Sequence, residues 1–217
     1  MLDSYYTVQP SGEGEQIIQK SRFIGYARRV ETEDEAQAFI QEIKKKHHAA
    51  THNCSAYLIG EQNHIQKAND DGEPSGTAGV PILEVLKKRN IKDTAVVVTR
   101  YFGGIKLGAG GLIRAYSSTT SIALEATGVV ERRRMQQISI SVDYGLLGKI
   151  ENELRNANYI ISHIDYLENV TFHVLVAMEK VAEFQTWIVD LTSDQARIVL
   201  QTTEYIEIPV QSKENKD

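Results

Sequence analysis

Thr94-Ala95-Val96-Val97-Val98-Thr99-Arg100-Tyr101-Phe102-Gly103-Gly104-Ile105-Lys106-Leu107-Gly108-Ala109-Gly110-Gly111-Leu112-Ile113-Arg114 passes from the most apolar run of the chain, through a glycine-rich loop, into a helix. Residues 94–99 are β-branched or small without a charged interruption, which predicts a central strand covered on both faces. The helix is expected from about residue 112 to 127, where Gly128 stops it. Five glycines leave the loop's backbone N–H groups free to point at a ligand, and a strand–glycine loop–helix unit of this kind can hold phosphate. No Gly-Lys-Ser/Thr closes the loop, so it is not a P-loop. Gly108-x-Gly110 is followed by Ile113 where the dinucleotide fingerprint needs a third small residue.

Upstream, residues 16–19 and 22–30 read as two strands around the polar Lys20-Ser21. Thr32-x-x-Glu35 fits a capping box, and Ala36, Phe39, Ile40 and Ile43 recur at helical spacing. The run Lys44-Lys45-Lys46-His47-His48 ends that helix with favourably placed positive charge. Residues 53–59 alternate as a strand with Cys54, Ala56 and Leu58 on one face, and residues 64–68 return as its partner. A helix over about 77–89 is expected, with Thr77 as N-cap and Pro81 in its first turn.

The second half alternates at 136–143, then places Leu146, Leu147, Ile150 and Leu154 on a helix that Asp143 can cap. Strands over 159–167 and 170–178 flank the turn Glu168-Asn169. Val181, Phe184, Ile188 and Leu191 mark another helix, on which Trp187 reads as core, and residues 196–208 form a last strand. The order is βαββαβ. Glu131-Arg132-Arg133-Arg134 reads as a charged linker, which puts the domain boundary near 130–134, and residues 211–217 as a disordered tail.

Composition is that of an ordinary soluble globular protein, with 41% apolar and 24% charged residues. No window approaches 18 uninterrupted apolar residues, which excludes a helical membrane span, and the N-terminus lacks the features of a signal peptide. The single cysteine, Cys54, fits a reducing compartment, so the expected location is cytoplasmic. The net charge of −5 is uneven: residues 1–132 carry 16 basic and 16 acidic side chains, and residues 133–217 carry 8 and 13. Any claim of nucleic-acid binding therefore rests on a local basic patch.

Two loops carry the candidate chemistry. In the first, Asp70-Asp71-Gly72-Glu73-Pro74-Ser75-Gly76-Thr77-Ala78-Gly79, the carboxylates Asp70, Asp71 and Glu73 can hold a divalent cation or position polar groups beside an anion. Asp-Gly and Pro-Ser-Gly are equally turn chemistry, and acidic residues ahead of a helix favour its dipole. In the second loop Arg100, Lys106 and Arg114 supply positive charge, and Tyr101 and Phe102 can stack on a base. His47, His48 and His52 lack the rest of a zinc ligand set, and Cys54 beside His52 reads as a small buried hydrophobe rather than a nucleophile.

The blocks from Asp70 to Gly79 and from Val98 to Leu112, with Lys20-Ser21-Arg22-Phe23 and His52-Asn53-Cys54-Ser55-Ala56-Tyr57, closely resemble the signature of the YigZ/IMPACT family. The resemblance implies an α+β protein: a ribosomal protein S5 domain 2-like domain over 1–132, then a ferredoxin-like βαββαβ domain over 133–210 similar to the last domain of translocating elongation factors. Eukaryotic relatives regulate translation through the amino-acid-starvation kinase, using an extra N-terminal domain for which this chain has no room, so that partner does not transfer. For bacterial members the resemblance implies no reaction.

The expected function is a non-catalytic, cytoplasmic, RNA- or ribosome-associated protein acting in translation or its regulation, with no cofactor and no membrane partner. Its anion-facing residues are Arg22, Arg100, Tyr101, Phe102, Gly103, Gly104, Lys106, Gly108, Gly110, Gly111 and Arg114. The accompanying signature loop is His52, Asp70, Asp71, Gly72, Glu73, Ser75, Gly76 and Thr77. One alternative is a metal-dependent, hydrolase-like enzyme in which Asp70, Asp71 and Glu73 hold a cation facing an anionic substrate. Another is a protein-interaction module docking through the acidic C-terminal domain.

Overall fold

The computed structural model describes residues 1–210, so the tail expected at 211–217 lies outside the described residues. The chain is a mixed α and β protein of two compact units. One holds Met1, Tyr5–Glu131 and the chain from Ile208, and the other holds Leu2–Ser4 and Arg132–Glu207.

In the first unit a short strand β1 (Ser4–Val8), not foreseen in the sequence, precedes β2 (Ser11–Ile18), β3 (Ser21–Arg29), α1 (Glu33–Lys46), β4 (His52–Ile59), β5 (Ile65–Asn69), α2 (Gly79–Lys88), β6 (Thr94–Tyr101) and α3 (Gly108–Thr127). The β2–β3 turn is carried by Gln19 and Lys20, both at positive φ, as a tight hairpin requires. Thr32 caps α1: its hydroxyl accepts from Glu35 N–H, while the Glu35 carboxylate accepts from Glu31 N–H.

The sheet order is β2-β3-β6-β4-β5, antiparallel throughout, with β6 in the middle as its apolar sequence predicts. Alternation along each strand builds two cores. Phe23, Ala27, Cys54, Ala56, Leu58, Val96 and Val98 pack with α2 and α3. Ile24, Tyr26, Tyr57, Ile59, Ala95 and Val97 pack with Ala36, Phe39, Ile40 and Ile43 of α1. A helix layer on each face explains why no polar side of β6 could be read.

The second unit is built from β7 (Val129–Val142), α4 (Leu147–Asn156), β8 (Ile160–Tyr166), β9 (Val170–Ala177), α5 (Val181–Thr192) and β10 (Arg197–Pro209). A single-turn 3-10 helix leads into each helix. β7 pairs with β9 and with β10, and β9 pairs with β8. Ile138, Ile140 and Val142 of β7 and Val170, Phe172, Val174 and Val176 of β9 meet Ile150 and Leu154 of α4 and Phe184 and Ile188 of α5 in one core. Both helices therefore cover the same sheet face.

Two local expectations change. Residues 130–134 are not a linker but part of β7. The Arg134 N–H donates to the Asp3 carbonyl at 2.8 Å and its guanidinium pairs with the Asp3 carboxylate at 2.6 Å, so the charges sit on a paired strand. Asp143 precedes the helical segment but its side chain caps nothing. No helix among the described residues is long and apolar enough to cross a membrane.

Candidate functional site

The two glycine-containing loops meet at the end of the central strand. β6 sets Arg100 in register with Phe23 of β3 on one side and His52 of β4 on the other. Arg100 is two and four residues from Val98 and Val96, so it points to the α2–α3 face, where it is 5% exposed. There its Nη1 donates to Glu73 Oε1 at 2.6 Å, and the Tyr116 hydroxyl of α3 donates to the same oxygen at 2.8 Å. His52 Nε2 lies 3.9 Å from the other oxygen, Oε2. Its Nδ1 sits 2.8 Å from the Asp71 carbonyl, an acceptor, so Nδ1 carries the proton in the neutral ring. The guanidinium lies between the rings of Phe23 and Phe102, at 5.4 and 5.3 Å.

Arg100 is thus not a free phosphate contact. Its charge is neutralised by Glu73 from the other loop, because register sends residue 100 inward. Burial, together with the Cys54 and Glu73 groups beside it, pushes the Tyr116 phenol well up, so it is a fixed donor. Burial pushes the Cys54 thiol up as well. It contacts the Asp70 carbonyl and the Tyr116 hydroxyl, at 2.9 and 3.4 Å, and is an inert core group rather than a nucleophile.

The three carboxylates of the first loop do not converge. Asp70 accepts from the backbone N–H groups of Gly76, Ala78 and Gly79, at 2.8, 3.0 and 2.8 Å. Burial works to raise its pKa, but these bonds outweigh it and hold the carboxyl below the usual range. Asp70, not Thr77, therefore caps α2. The Thr77 hydroxyl instead donates to the Pro74 carbonyl, and Ala78 occupies the cap position. Asp71 accepts from Lys44 Nζ at 2.6 Å and from Asn53 N–H at 2.7 Å. Its carboxyl is likewise held low, with burial opposing and Lys44 and Asn53 prevailing. Glu73 faces Arg100. With each carboxylate turned to a separate cation or amide set, the candidate metal triad of Asp70, Asp71 and Glu73 is not formed, and the alternative hydrolase-like arrangement loses its cation site. Gly72 and Gly76 take positive φ in the turns, and Ser75 is exposed.

The second loop divides into bound and free residues. Arg22 is exposed but paired with Glu15 at 2.6 Å. The Tyr101 hydroxyl lies 2.9 Å from Nδ1 of His47, whose Nε2 lies 2.7 Å from the Tyr26 hydroxyl. Arg22 and Tyr101, both named as anion-facing candidates, each have a partner within the chain. Gly103 has no room for a side chain, since a Cβ would fall 2.1 Å from the Lys20 carbonyl carbon. Its N–H donates to Ser21 Oγ and pins the loop to the β2–β3 turn. Gly104 is exposed at positive φ.

Gly108, Gly110 and Gly111 are not loop residues but the first turn of α3, which starts four residues earlier than expected. That turn has neither a side-chain cap nor an acidic residue, so its N–H groups lack a side-chain partner among the described residues. Beside it Lys106 and Arg114 are exposed and form no ion pair among the described residues, and Phe102, Ile105 and Ile113 are 47%, 41% and 42% exposed.

This surface opens into a groove of about 950 Å³ between α2, α3 and the β2–β3 turn. Lys88 of α2 and Arg89 at its C-cap line it, with Arg114, Ser117, Ser118 and Ser121 of α3. Arg89 is paired with Glu125, whereas Lys88 is exposed. Sequence reasoning missed the serines and Lys88. The i, i+4, i+7 spacing of Arg114, Ser118 and Ser121 was the available signal, because it sets one polar stripe on α3.

Fold and site together define a two-domain, mixed α and β protein whose N-terminal domain joins two signature loops through a buried Arg–Glu pair. Residues 19–124 match the Impact N-terminal domain, and residues 140–195 match a domain of unknown function (DUF1949). The chain is 59% identical over 207 residues to the Bacillus subtilis (strain 168) IMPACT family member YvyE, covering 95% of each. It is 33% identical to Escherichia coli (strain K12) YigZ, over 84% of this chain and 90% of that one. The chain belongs to the IMPACT family. Rattus norvegicus protein IMPACT is 43% identical over 30% of this chain and 20% of its own. A crystal structure described as that of a hypothetical protein superposes with a TM-score of 0.59 at 29% identity, covering 93% of this chain and 99% of that one.

Proposed function

We propose that this protein is a non-catalytic, cytoplasmic RNA- or ribosome-associated factor acting in translation or its regulation, and that its contact surface is the start of α3. The observation that carries the reading is the uncapped glycine turn at Gly108, Gly110 and Gly111, flanked by exposed Lys106 and Arg114. N–H groups without a side-chain cap and two cations with no ion pair among the described residues suit phosphate, and exposed Phe102 suits a base face. Lys88 and the serine stripe extend the same surface along the groove. Membership of the IMPACT family supports a link to translation. For the domains, we infer the ribosomal protein S5 domain 2 type and the ferredoxin-like type. The antiparallel sheet with α2 and α3 packed together on one face supports the former, and the neighbours β7-β9-β8, with β10 beside β7 and both helices on one face, support the latter.

The test is filter binding to RNA across a salt series, together with co-sedimentation with ribosomes. Lys106→Ala/Arg114→Ala should weaken binding and reduce the log–log salt slope by about 1.4 to 1.8, the value for two lost phosphate contacts. A double variant that binds as the parent does, or a parent that binds neither RNA nor ribosomes at low salt, refutes the proposal.

A further inference from the structure

The second unit carries a side-chain cluster that the loop surface does not use. His163 and His173 face each other across β8 and β9 as a registered pair, with their rings stacked at 3.8 Å and inclined by 10°. Asp165, two residues beyond His163, places Oδ2 2.9 Å from His173 Nε2 and 4.0 Å from His163 Nε2. Among the described residues these three form the group of histidine, cysteine and acidic side chains whose ligand atoms converge, all within 4.8 Å of one another. We propose that His163, Asp165 and His173 form a binding site for a divalent transition-metal ion of the Zn²⁺ class.

A strand irregularity makes the cluster. Ile161 and Ile164 of β8 both pack against the core under the helices, although three residues apart they would face opposite ways on a regular strand. The pairing shifts by one residue between Ile161 and His163, so Ser162 is a bulge, and its hydroxyl donates to the His173 carbonyl at 3.0 Å. The bulge turns both His163 and Asp165 to the face opposite α4 and α5. A bulge that re-aims side chains is a typical device at sites. His173 is on that face because its neighbours Phe172 and Val174 point into the core.

The donor set fits the ion. Two imidazole nitrogens and one carboxylate are a three-ligand zinc set, with water completing the shell. Hard cations such as Mg²⁺ and Ca²⁺ prefer all-oxygen surroundings. Tetrahedral bonds of about 2.0–2.1 Å put ligand atoms about 3.3 Å apart, and the 2.9 and 4.0 Å spacings from Asp165 Oδ2 fall on either side of that value; the stacked rings have to tilt out of parallel for both nitrogens to face one ion.

The far side of His173 is also prepared. Its Nδ1 lies 3.1 Å from Ser139 Oγ, which accepts from Gln201 Nε2 at 3.2 Å. When Nε2 binds the ion the remaining proton sits on Nδ1 and donates to Ser139, as an outer partner of a ligating histidine does. The site is open: the His163 and Asp165 side chains are 52% and 50% exposed.

The test is a Zn²⁺ titration of the full chain, stripped with a chelator, by calorimetry and by NMR of the histidine ring carbons. One equivalent should bind, shifting His163 and His173 and sparing the other histidines. His163→Ala and Asp165→Asn, both exposed substitutions that keep the fold by circular dichroism, should each weaken binding at least tenfold. Ser139→Ala should weaken it by about 10-fold or more through the lost outer contact. Mg²⁺ should not compete. No uptake, shifts confined to His47, His48, His52 or His64, or unchanged affinity in the variants would each overturn the proposal.

Discussion

Glu73→Gln should be among the most damaging single changes in the N-terminal domain, although residue 73 lies in a turn. The substitution leaves the Arg100 guanidinium 5% exposed beside a neutral amide. Its Nε already has no hydrogen-bond partner among the described residues, so Arg100 depends on the Glu73 charge and on two ring faces. Removing one member of a buried ion pair costs about 3–5 kcal/mol, mainly because the other charge stays buried and uncompensated. At about 2–4 °C per kcal/mol for a chain of this size, Tm should fall by roughly 6–20 °C.

Tyr116→Phe removes a single bond to the same carboxylate and should cost less, about 1.5–3 kcal/mol. The decisive comparison is the double variant Glu73→Leu/Arg100→Met, which removes both charges while keeping apolar volume. It should recover most of the stability lost in Glu73→Gln, since buried pairs are often replaceable by packed hydrophobes. Urea unfolding followed by far-UV circular dichroism reads all four proteins. A Glu73→Gln chain within about 1 kcal/mol of the parent, or a double variant no more stable than the single, would refute the assignment of Arg100 to a structural pair.

Asp70→Ala leaves three backbone N–H groups at the start of α2 without their acceptor and should cost about 2–3 kcal/mol. Because the Asp70 carboxyl is held below its usual value, its contribution is complete above about pH 4 and is lost as pH falls through the lower folded value. The acid limb of a stability–pH curve should therefore be shallower in Asp70→Ala, and an identical limb counts against the cap. Burial first, then the charges of Lys46 and Arg22, hold the His47 pKa down. The unfolded chain then binds that proton more readily, so stability is intact above about pH 6.5 and declines as pH falls from there. His47→Gln should flatten that decline in urea midpoints measured between pH 7 and 5, and a slope equal to the parent's would show that His47 contributes nothing to it.

Local pattern determined much of this protein. The period-3.6 face of α1, the capping pair Thr32 and Glu35, the two-sided burial of β6 and the βαββαβ order each show in sequence patterns a few residues long. The charged run at 131–134 misled, since its pairing with Asp3 spans more than a hundred residues. The same physical reason governs the site. Arg100, Lys106 and Arg114 are equivalent cations when read in order, yet only the sheet register turns Arg100 inward to Glu73, 27 residues away, and leaves the other two outside. Asp70, Asp71 and Glu73 read as one acidic group until the fold turned each to its own partner. In the second unit, one bulged serine put His163 and Asp165 on the same face as His173. Sequence by itself determined which elements form and which face of each is buried. Tertiary structure alone decided which of them are free, because charge neutralisation and strand register are set between segments distant along the chain.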